Sequence, residues 1–399
     1  MSLLKNRKCR LILILLLVTS LQVSGQEQDS TKSTWKFTAR GYVKDLQYAT
    51  FSINPDTLLF ESLLHNRLNF RLTKGTHFTA ALELRNRLFA GENTRSQPGL
   101  AAILDHDQGF FDLSWILSKS PAMIVSSQLD RVWLEWNKIK WNIRVGRQRI
   151  NWGINTVWNP NDIFNAFNYI DFDYEERLGN DALRIQYQTS DDAGFDLAIS
   201  PGKDSLHHNA ALLYRFNKWH YDFQVLGGIS NGDLVGGLGF AGNLGTAGLK
   251  GEISYFYPYY FNLDNVTENV SASFSVDYAF RWGLYVNASM LYSSNGASKM
   301  KAQQSPLPWY NLDISAKYLM PTRYSYFLDV SGNIHPLVRV DIATIYGPGL
   351  DIFFFMPSLS YSMADNLDVM LLGQLFYDSS SGTFRNMGNG VFLRLKWSF

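Results

Sequence analysis

The chain has 399 residues, a formal charge of +1 and a single cysteine, with 15% aromatic and 18% charged side chains. Near-neutrality removes the electrostatic footprint of a nucleic-acid binder, and one cysteine removes disulfides and thiolate metal clusters. Beyond the amino-terminal run no stretch of roughly 20 apolar residues occurs, so the hydrocarbon thickness that a helix has to cross excludes a helical membrane protein.

At the amino end Lys5, Arg7, Lys8 and Arg10 precede an apolar run from Leu11 to about Val18, and Val23 and Gly25 lie just before Gln26. A basic head, a short greasy core and small residues are the layout of a cleavable export signal. The pattern predicts a leader over 1–25, a short periplasmic lead over 26–34 and one domain over 35–399. Cys9 lies in the basic head, upstream of the apolar run, whereas a lipid-anchoring cysteine would follow that run.

Alternation with period two begins soon after Trp35. LHNRLNFRLT turns at Lys74-Gly75 and returns as FTAALELRNRLF. Leu68, Phe70 and Leu72 then face Ala80, Leu82 and Leu84, with Arg67, Arg71, Glu83, Arg85 and Arg87 on the other side. DRVWLEWNKIKWNIRVG repeats the design, setting Val132, Leu134, Trp136, Trp141, Ile143 and Val145 against Arg131, Glu135 and Arg144. Further hairpins follow to the carboxyl end, where Val391, Leu393, Leu395, Trp397 and Phe399 share one face.

A soluble sandwich also alternates. Strands of about ten residues, aromatics near strand ends and arginines filling the face opposite the greasy one favour a transmembrane antiparallel up-and-down β-barrel. About 18 strands fit, or 16 if the stretch from Pro306 to Tyr318 is loop, with long extracellular loops over or into the mouth. The expected setting is the outer membrane of a Gram-negative bacterium. The expected partners are outer-membrane lipid and lipopolysaccharide, the barrel-assembly machinery reading Trp397 and Phe399, and a small polar solute. No nucleic acid, cofactor or metal is expected, and the sequence leaves the oligomeric state open.

The longest irregular segment opens GRQRINWGINTVWNPNDIFN, from Gly146 to Asn165, and falls at the extracellular mouth. The string GRQRINWG…VWNPNDIFN…DFDYEERLGNDALRIQY resembles a family of outer-membrane porin-like proteins of Bacteroidetes-type bacteria. Its "GRQ…WG" turn is more loosely similar to alginate-export and related porins. The resemblance implies a barrel and a compartment but no solute. Arg147, Arg149 and Arg177 offer guanidinium forks to Asp162, Asp171, Asp173, Glu175 and Glu176, a network able to fix an inward-folded loop and narrow the pore. The same residues could contact solute or merely tie the loop to the wall. Trp152 and Trp158 could stack on sugar rings, or serve as girdle or loop-core aromatics.

By alternation Arg67, Arg71, Arg85, Arg87, Arg131, Arg144 and Arg184 point into the lumen on neighbouring strands about 4.8 Å apart, with Glu83 and Glu135 the only acids placed beside them. Such a wall favours anions, unless the cluster from Asp171 to Glu176 neutralises it. Transport of small polar, anionic or saccharide solutes leads the functional readings. The histidines, among them His106 between Asp105 and Asp107 and the His207-His208 pair, show no nucleophile motif, so no enzyme is expected. The greasy segment from Gly91 to Gln128 supports an alternative role in polysaccharide export or in docking a partner or hydrophobic cargo.

Overall fold

The computed structural model describes residues 34–51, 58–97, 99–107, 109–166, 169, 179–204, 206–259, 267–298, 314–378 and 385–399. The expected leader over 1–25, the lead as far as residue 33 and the acid cluster Asp171, Asp173, Glu175 and Glu176 with Arg177 lie outside the described residues.

Eighteen strands form the ring. In chain order they are β1 (Trp35–Phe51), β2 (Leu58–Lys74), β3 (Phe78–Gly91), β5 (Met123–Lys138), β6 (Trp141–Gln148), β7 (Asn180–Ser190), β8 (Ala193–Ser200), β9 (Asn209–Lys218) and β10 (Tyr221–Ser230). There follow β11 (Asp233–Leu244), β12 (Ala247–Pro258), β13 (Asn269–Ala279), β14 (Leu284–Ser293), β15 (Tyr324–His335), β16 (Val338–Gly347), β17 (Ile352–Ala364), β18 (Leu367–Asp378) and β19 (Arg385–Ser398). Each pairs antiparallel with its chain neighbour, and β1 closes onto β19 from Tyr42 opposite Ser398 to Phe51 opposite Asn389. Closure leaves no strand edge, the condition for a sheet to sit in hydrocarbon.

The stretch expected as a long greasy loop after Gly91 is structured. It holds two short helices, α1 (Glu92–Ser96) and α2 (Leu100–Leu104), and a strand, β4 (Ser114–Ser120). Residues 123–128 of β5 pair with β3 on one edge and with β4 on the other, while β6 takes that second edge lower down, from Val132 opposite Arg147 to Lys138 opposite Trp141. β4 therefore extends the sheet beyond the end of β6. Its apolar residues Trp115 and Leu117 are exposed, and that gave the segment its loop-like greasiness.

Turns are short on the rim that carries the first and last strand ends, as at 139–140, 191–192, 219–220, 245–246, 336–337 and 365–366. Several use left-handed backbone: Gly75 and Gly245 have φ of 54° and 63°, values that glycine adopts freely. The other rim carries most of the longer connections, although β10 and β11 are joined there by only Asn231 and Gly232.

The pairing register follows the sequence alternation. Leu68, Phe70 and Leu72 stand opposite Leu84, Leu82 and Ala80, and Leu134 and Trp136 opposite Val145 and Ile143. Outward residues are exposed: Leu134 49%, Leu238 54%, Leu371 46%, Leu395 42%. Near the terminal rim an outward aromatic run crosses neighbouring strands, with Trp141 against Tyr187 at 4.5 Å, Phe195 against Tyr214 at 4.7 Å and Phe216 against Phe223 at 5.4 Å. Such girdles sit at membrane interfaces.

Candidate constriction and lumen wall

After Gln148 the chain turns into the barrel instead of away from it. Residues 149–166 have no apolar period to build a helix or strand, and their backbone polar groups find partners on the lumen wall. Glu252 of β12, 3% exposed, accepts the backbone N–H groups of Ile154, Asn155 (2.7 Å) and Asn161 (3.0 Å). The Asn161 amide donates to the Leu238 carbonyl at 3.0 Å and accepts from the Ser254 hydroxyl at 2.6 Å. Asn155 bridges Ser273 and Ser275, and Gln224 donates to the Trp152 carbonyl at 2.9 Å. The wall is shaped for this approach: a Cβ on Gly237 would meet Asn161 Oδ1 at 2.6 Å, and one on Gly239 would meet Ile154 Cδ1 at 2.9 Å.

Apolar residues of the loop fasten it to two sides. Ile150, Trp152, Ile163 and Phe164 pack on Ala182, Ala198, Ala211, Leu213 and Leu226 of β7–β10. Val157 and Trp158 join a separate core with Leu46, Leu291, Phe327, Ile345 and Phe354. The loop thus reaches from the β7–β12 wall to the strands on the far side of the ring. Its many asparagines are the planar donor-acceptor groups that let an irregular backbone be satisfied inside a barrel.

The lumen arginines lie where alternation puts them, but their partners differ from expectation. Arg67 binds Asp130 and, at 2.6 Å, Glu83; Arg85 reaches Asp130 at 3.1 Å and Gln128 at 2.6 Å; Arg131 reaches Glu83 at 3.1 Å. Asp130 enters this group because it is the extra residue of a β-bulge between Leu129 and Arg131, which oppose the consecutive pair Leu84 and Glu83. Arg144 binds Glu135 and stacks on Trp133 at 4.3 Å, and Arg184 binds Asp196 at 2.5 Å. Arg67 stands opposite Arg85, and Arg144 opposite Arg184. Each like-charged cross-strand pair is bracketed by acids, which removes most of its repulsion. Arg87 lies over the Phe89 ring at 5.4 Å, and Arg71 is exposed. The expectation that Glu83 and Glu135 alone accompany these arginines is therefore corrected by Asp130 and Asp196. Asp196 is an ordinary alternating position that alternation scored for polarity but not for pairing, whereas Asp130 faces the lumen only through the bulge.

Arg147 sits at the rim end of β6, 2% exposed, next to Gly146, whose φ of 115° only glycine adopts readily. It clamps Asp181 at 2.8 and 3.0 Å, Asp107 at 2.6 Å and the Phe111 carbonyl at 2.6 Å, tying the segment before β4 to β7. Burial pushes the Asp107 carboxyl up, but the Arg147 guanidinium and the Gly109 and Leu113 amides outweigh it and hold it below the usual range. Arg149 is half-buried. Asp162 is fully buried and accepts the Trp152 backbone N–H at 3.2 Å. Trp152 (1% exposed) packs edge-on against Phe164 and donates its indole N–H to Asp196 at 3.1 Å; Trp158 (3%) packs edge-on against Phe327. Both indole faces are covered by protein, so neither offers a plane for a sugar ring.

Sequence reasoning also missed Glu252, Arg215 and the acids Asp277, Asp329 and Asp341 across the ring. Arg215, with 47% of its side chain exposed, lies 3.6 Å from Asp196. At the carboxyl end, Phe399 exchanges backbone hydrogen bonds with Gly41 at 2.9 Å in both directions and its ring lies 5.2 Å from Trp397. His207 pairs with Asp204 at 2.6 Å on an exposed loop; Ser205 lies outside the described residues. Among the described residues no group of three or more His, Cys, Asp or Glu side chains could hold a metal.

Two polar cavities flank the inward loop. One of about 1000 Å³ faces the terminal rim and is lined by Trp152, Gln186, Asp196, Arg215 and Gln224. The other, of about 1020 Å³, faces the opposite mouth and is lined by Gln128, Asp130, Arg147, Ile163 and Lys317.

The sequence matches no protein-family model and no curated protein. The structure is similar to OccK11 (OpdR) of Pseudomonas aeruginosa, with a TM-score of 0.58 at 11% identity over 91% of this chain and 96% of that one. It is also similar to OccAB4 of Acinetobacter baumannii (TM-score 0.57, 9% identity, 93% and 99% covered) and to the outer membrane protein opdK of Pseudomonas aeruginosa (TM-score 0.55, 9% identity, 91% and 98% covered). At such identities the likeness is one of fold. These are Pseudomonas and Acinetobacter proteins, not the Bacteroidetes-type or alginate-export barrels that the loop motif resembles. A closed antiparallel barrel with an apolar outer wall is a protein of the Gram-negative outer membrane.

Proposed function

We propose that the chain is a channel for small polar solutes, with a preference for anions. The observation that carries this reading is the inward loop: 149–166 narrows the lumen between two polar cavities that open toward opposite rims. The walls around the loop carry Gln186, Gln224, Arg215 and Asp196, polar groups that suit a water-filled path.

The anion preference rests on the wall from β2 to β9. Eight arginines (67, 71, 85, 87, 131, 144, 184 and 215) face five acids (Glu61, Glu83, Asp130, Glu135 and Asp196) across the lumen side of those strands. Arg67 and Arg85 are spent on buried pairs, so the charges that a solute meets are the exposed ones, Arg71 and Arg215. A unit charge roughly 6 Å from a passing anion in water is worth about 0.7 kcal/mol, or about threefold in occupancy for each arginine. The zero-current potential across a planar bilayer under a potassium chloride gradient tests this. Wild-type protein is expected to favour chloride, and Arg71→Ala with Arg215→Ala to lose several-fold of that preference. Equal permeabilities in the wild type, or no effect of the double change, would contradict the reading. Buried indoles give the saccharide alternative no support, and the exposed Phe110 and Phe111 beside the mouth are the residues on which an export or docking role would rest.

A further inference from the structure

On most strands every described outward side chain between the rims is apolar, apart from Thr344, Asn389 and tyrosine hydroxyls, as the register of β6 to β19 shows. Four adjacent strands break this pattern. β1 points Asp45 and Gln47 outward, β2 Ser62 and Asn66, β3 Asn86 and β5 Ser127.

Their outward direction follows from pairing. Asp45 and Gln47 stand opposite Leu395 and Leu393, exposed by 42% and 48%. Asn66, Asn86 and Ser127 are mutual cross-strand neighbours, one pleat from Leu68, Leu84 and Leu129 on one side and Leu64, Leu88 and Val125 on the other. The six join into hydrogen-bonded groups. Gln47 donates to Asp45 and to Ser62, each at 2.8 Å; Ser127 donates to Asn86 at 2.8 Å, Asn86 to Asn66 at 3.3 Å and Asn66 to the Tyr42 carbonyl at 3.3 Å. Apolar residues flank the belt toward both rims: Val43 and Trp397 below, Phe51 and Phe60 above.

Asn66 and Ser127 are buried among their neighbours, so the groups that meet the surroundings are Asp45, Gln47, Ser62 and Asn86. An aspartate and two amides at this depth are costly against acyl chains, and a charged group on the lipid face is penalised most near mid-bilayer. Two further features lie on the same wall. Small outward residues (Ala39, Ala49, Ala80 and Ala90) let another surface come close, as small residues do at membrane interfaces. Below the belt an apolar concavity of about 470 Å³ is framed by Phe37, Phe70, Leu82, Val132, Leu134 and Val145.

We propose that the outer wall of β1, β2, β3 and β5 is the contact face between copies of this chain in a cyclic assembly about an axis normal to the membrane. Copies insert in one orientation, so each presents this belt at the same depth. Amide and hydroxyl groups that both donate and accept are self-complementary across such an axis. A lipid acyl chain fits the concavity but offers nothing to Asp45 or Gln47.

Native mass spectrometry on full-length protein extracted from membranes tests the assignment, together with bis-maleimide crosslinking of Gln47→Cys and Leu238→Cys in a Cys9→Ser background. The wild type is expected at a multiple of the single-chain mass. Gln47→Cys is expected to link two chains in membranes and Leu238→Cys, outward on β11, is not. Asn66→Leu with Asn86→Leu is expected at single-chain mass while keeping the heat-modifiable mobility of a folded barrel. Ala90→Trp, which adds bulk on the lipid side opposite Ser62 and leaves the Asn66–Asn86–Ser127 hydrogen bonds in place, is expected to do the same, so a folding failure in the first variant leaves the test intact. A single-chain wild type, crosslinking at Leu238→Cys equal to that at Gln47→Cys, or wild-type mass in folded Ala90→Trp would overturn the proposal.

Discussion

Replacing Glu252 by alanine should release the inward loop while leaving the barrel closed. The carboxylate is the shared acceptor for three backbone donors, from Ile154, Asn155 and Asn161, on a side chain 3% exposed. A hydrogen bond to a charged group contributes about 1.5–3 kcal/mol, and an orphaned buried N–H costs about 1–3 kcal/mol. The freed loop recovers part of this from lumen water, and removing the carboxylate recovers its desolvation cost. A net of about 1 kcal/mol per donor, about 3 kcal/mol in all, corresponds to roughly a hundredfold increase in loop opening. Amide hydrogen exchange over peptides spanning 150–161 should show that loss of protection, with β13 to β19 as the internal control. Glu252→Gln keeps one acceptor oxygen and should lose about tenfold, the equivalent of about 1.4 kcal/mol. Unchanged protection in Glu252→Ala would refute the anchoring role, and equal loss in β13 to β19 would show that Glu252 supports the barrel itself.

Two further outcomes follow from other residues. Because the Asp107 carboxyl is held below its ordinary value in the folded protein, the stability it lends is fully present above the unfolded value of about 3.9 and fades as pH falls through the lower folded value. Protease resistance of the segment from 97 to 113 should therefore hold from neutral pH to about 4 and decline only in stronger acid, and Asp107→Asn should lower it already at pH 7; a decline beginning near pH 6 would contradict the clamp. A Cβ on Gly41 would lie 2.3 Å from the Arg67 carbonyl and 2.9 Å from the Phe399 ring, at the seam where β1 meets the last residue, whereas one on Gly236 would meet nothing within 4 Å. Gly41→Ala should then lower the temperature at which the barrel loses its folded electrophoretic mobility and Gly236→Ala should leave it unchanged, with equal behaviour counting against a tight seam.

Period-two alternation carried the fold because a side chain in a barrel has only two environments. Hence Leu68 against Leu84 and Trp136 against Ile143 were readable from spacing alone. The same simplicity hid the pairing chemistry. Asp130 faces the arginines only through a bulge, which leaves no mark on composition, and Asp196 and Glu252 look like any lumen polar residue until a loop arrives from far along the chain. Glu252 meets donors more than ninety residues away in sequence, a separation at which local pattern says nothing. Arginine and tryptophan in the GRQRINWG motif were visible as unusual, yet Arg147 serves a rim clamp and Trp152 a buried anchor; residue type alone does not separate these roles from solute contact. The outward belt was hidden for the opposite reason: Asn66 and Asn86 sit within apolar strands whose facing was read from their leucines.

The claim on which everything else depends is that alternate residues of a strand meet lipid and water. With Cys9 replaced by serine, single cysteines at Tyr214, Arg215 and Phe216 of β9 would report it through a charged, membrane-impermeant thiol reagent applied to protein in bilayers. Arg215→Cys, on the exposed lumen face, is expected to react and to reduce the current through the channel. Tyr214→Cys and Phe216→Cys, whose rings lie in the outward aromatic run, are expected to react only with a lipid-soluble maleimide. Reaction of the charged reagent at 214 and 216 with protection at 215 would contradict the account.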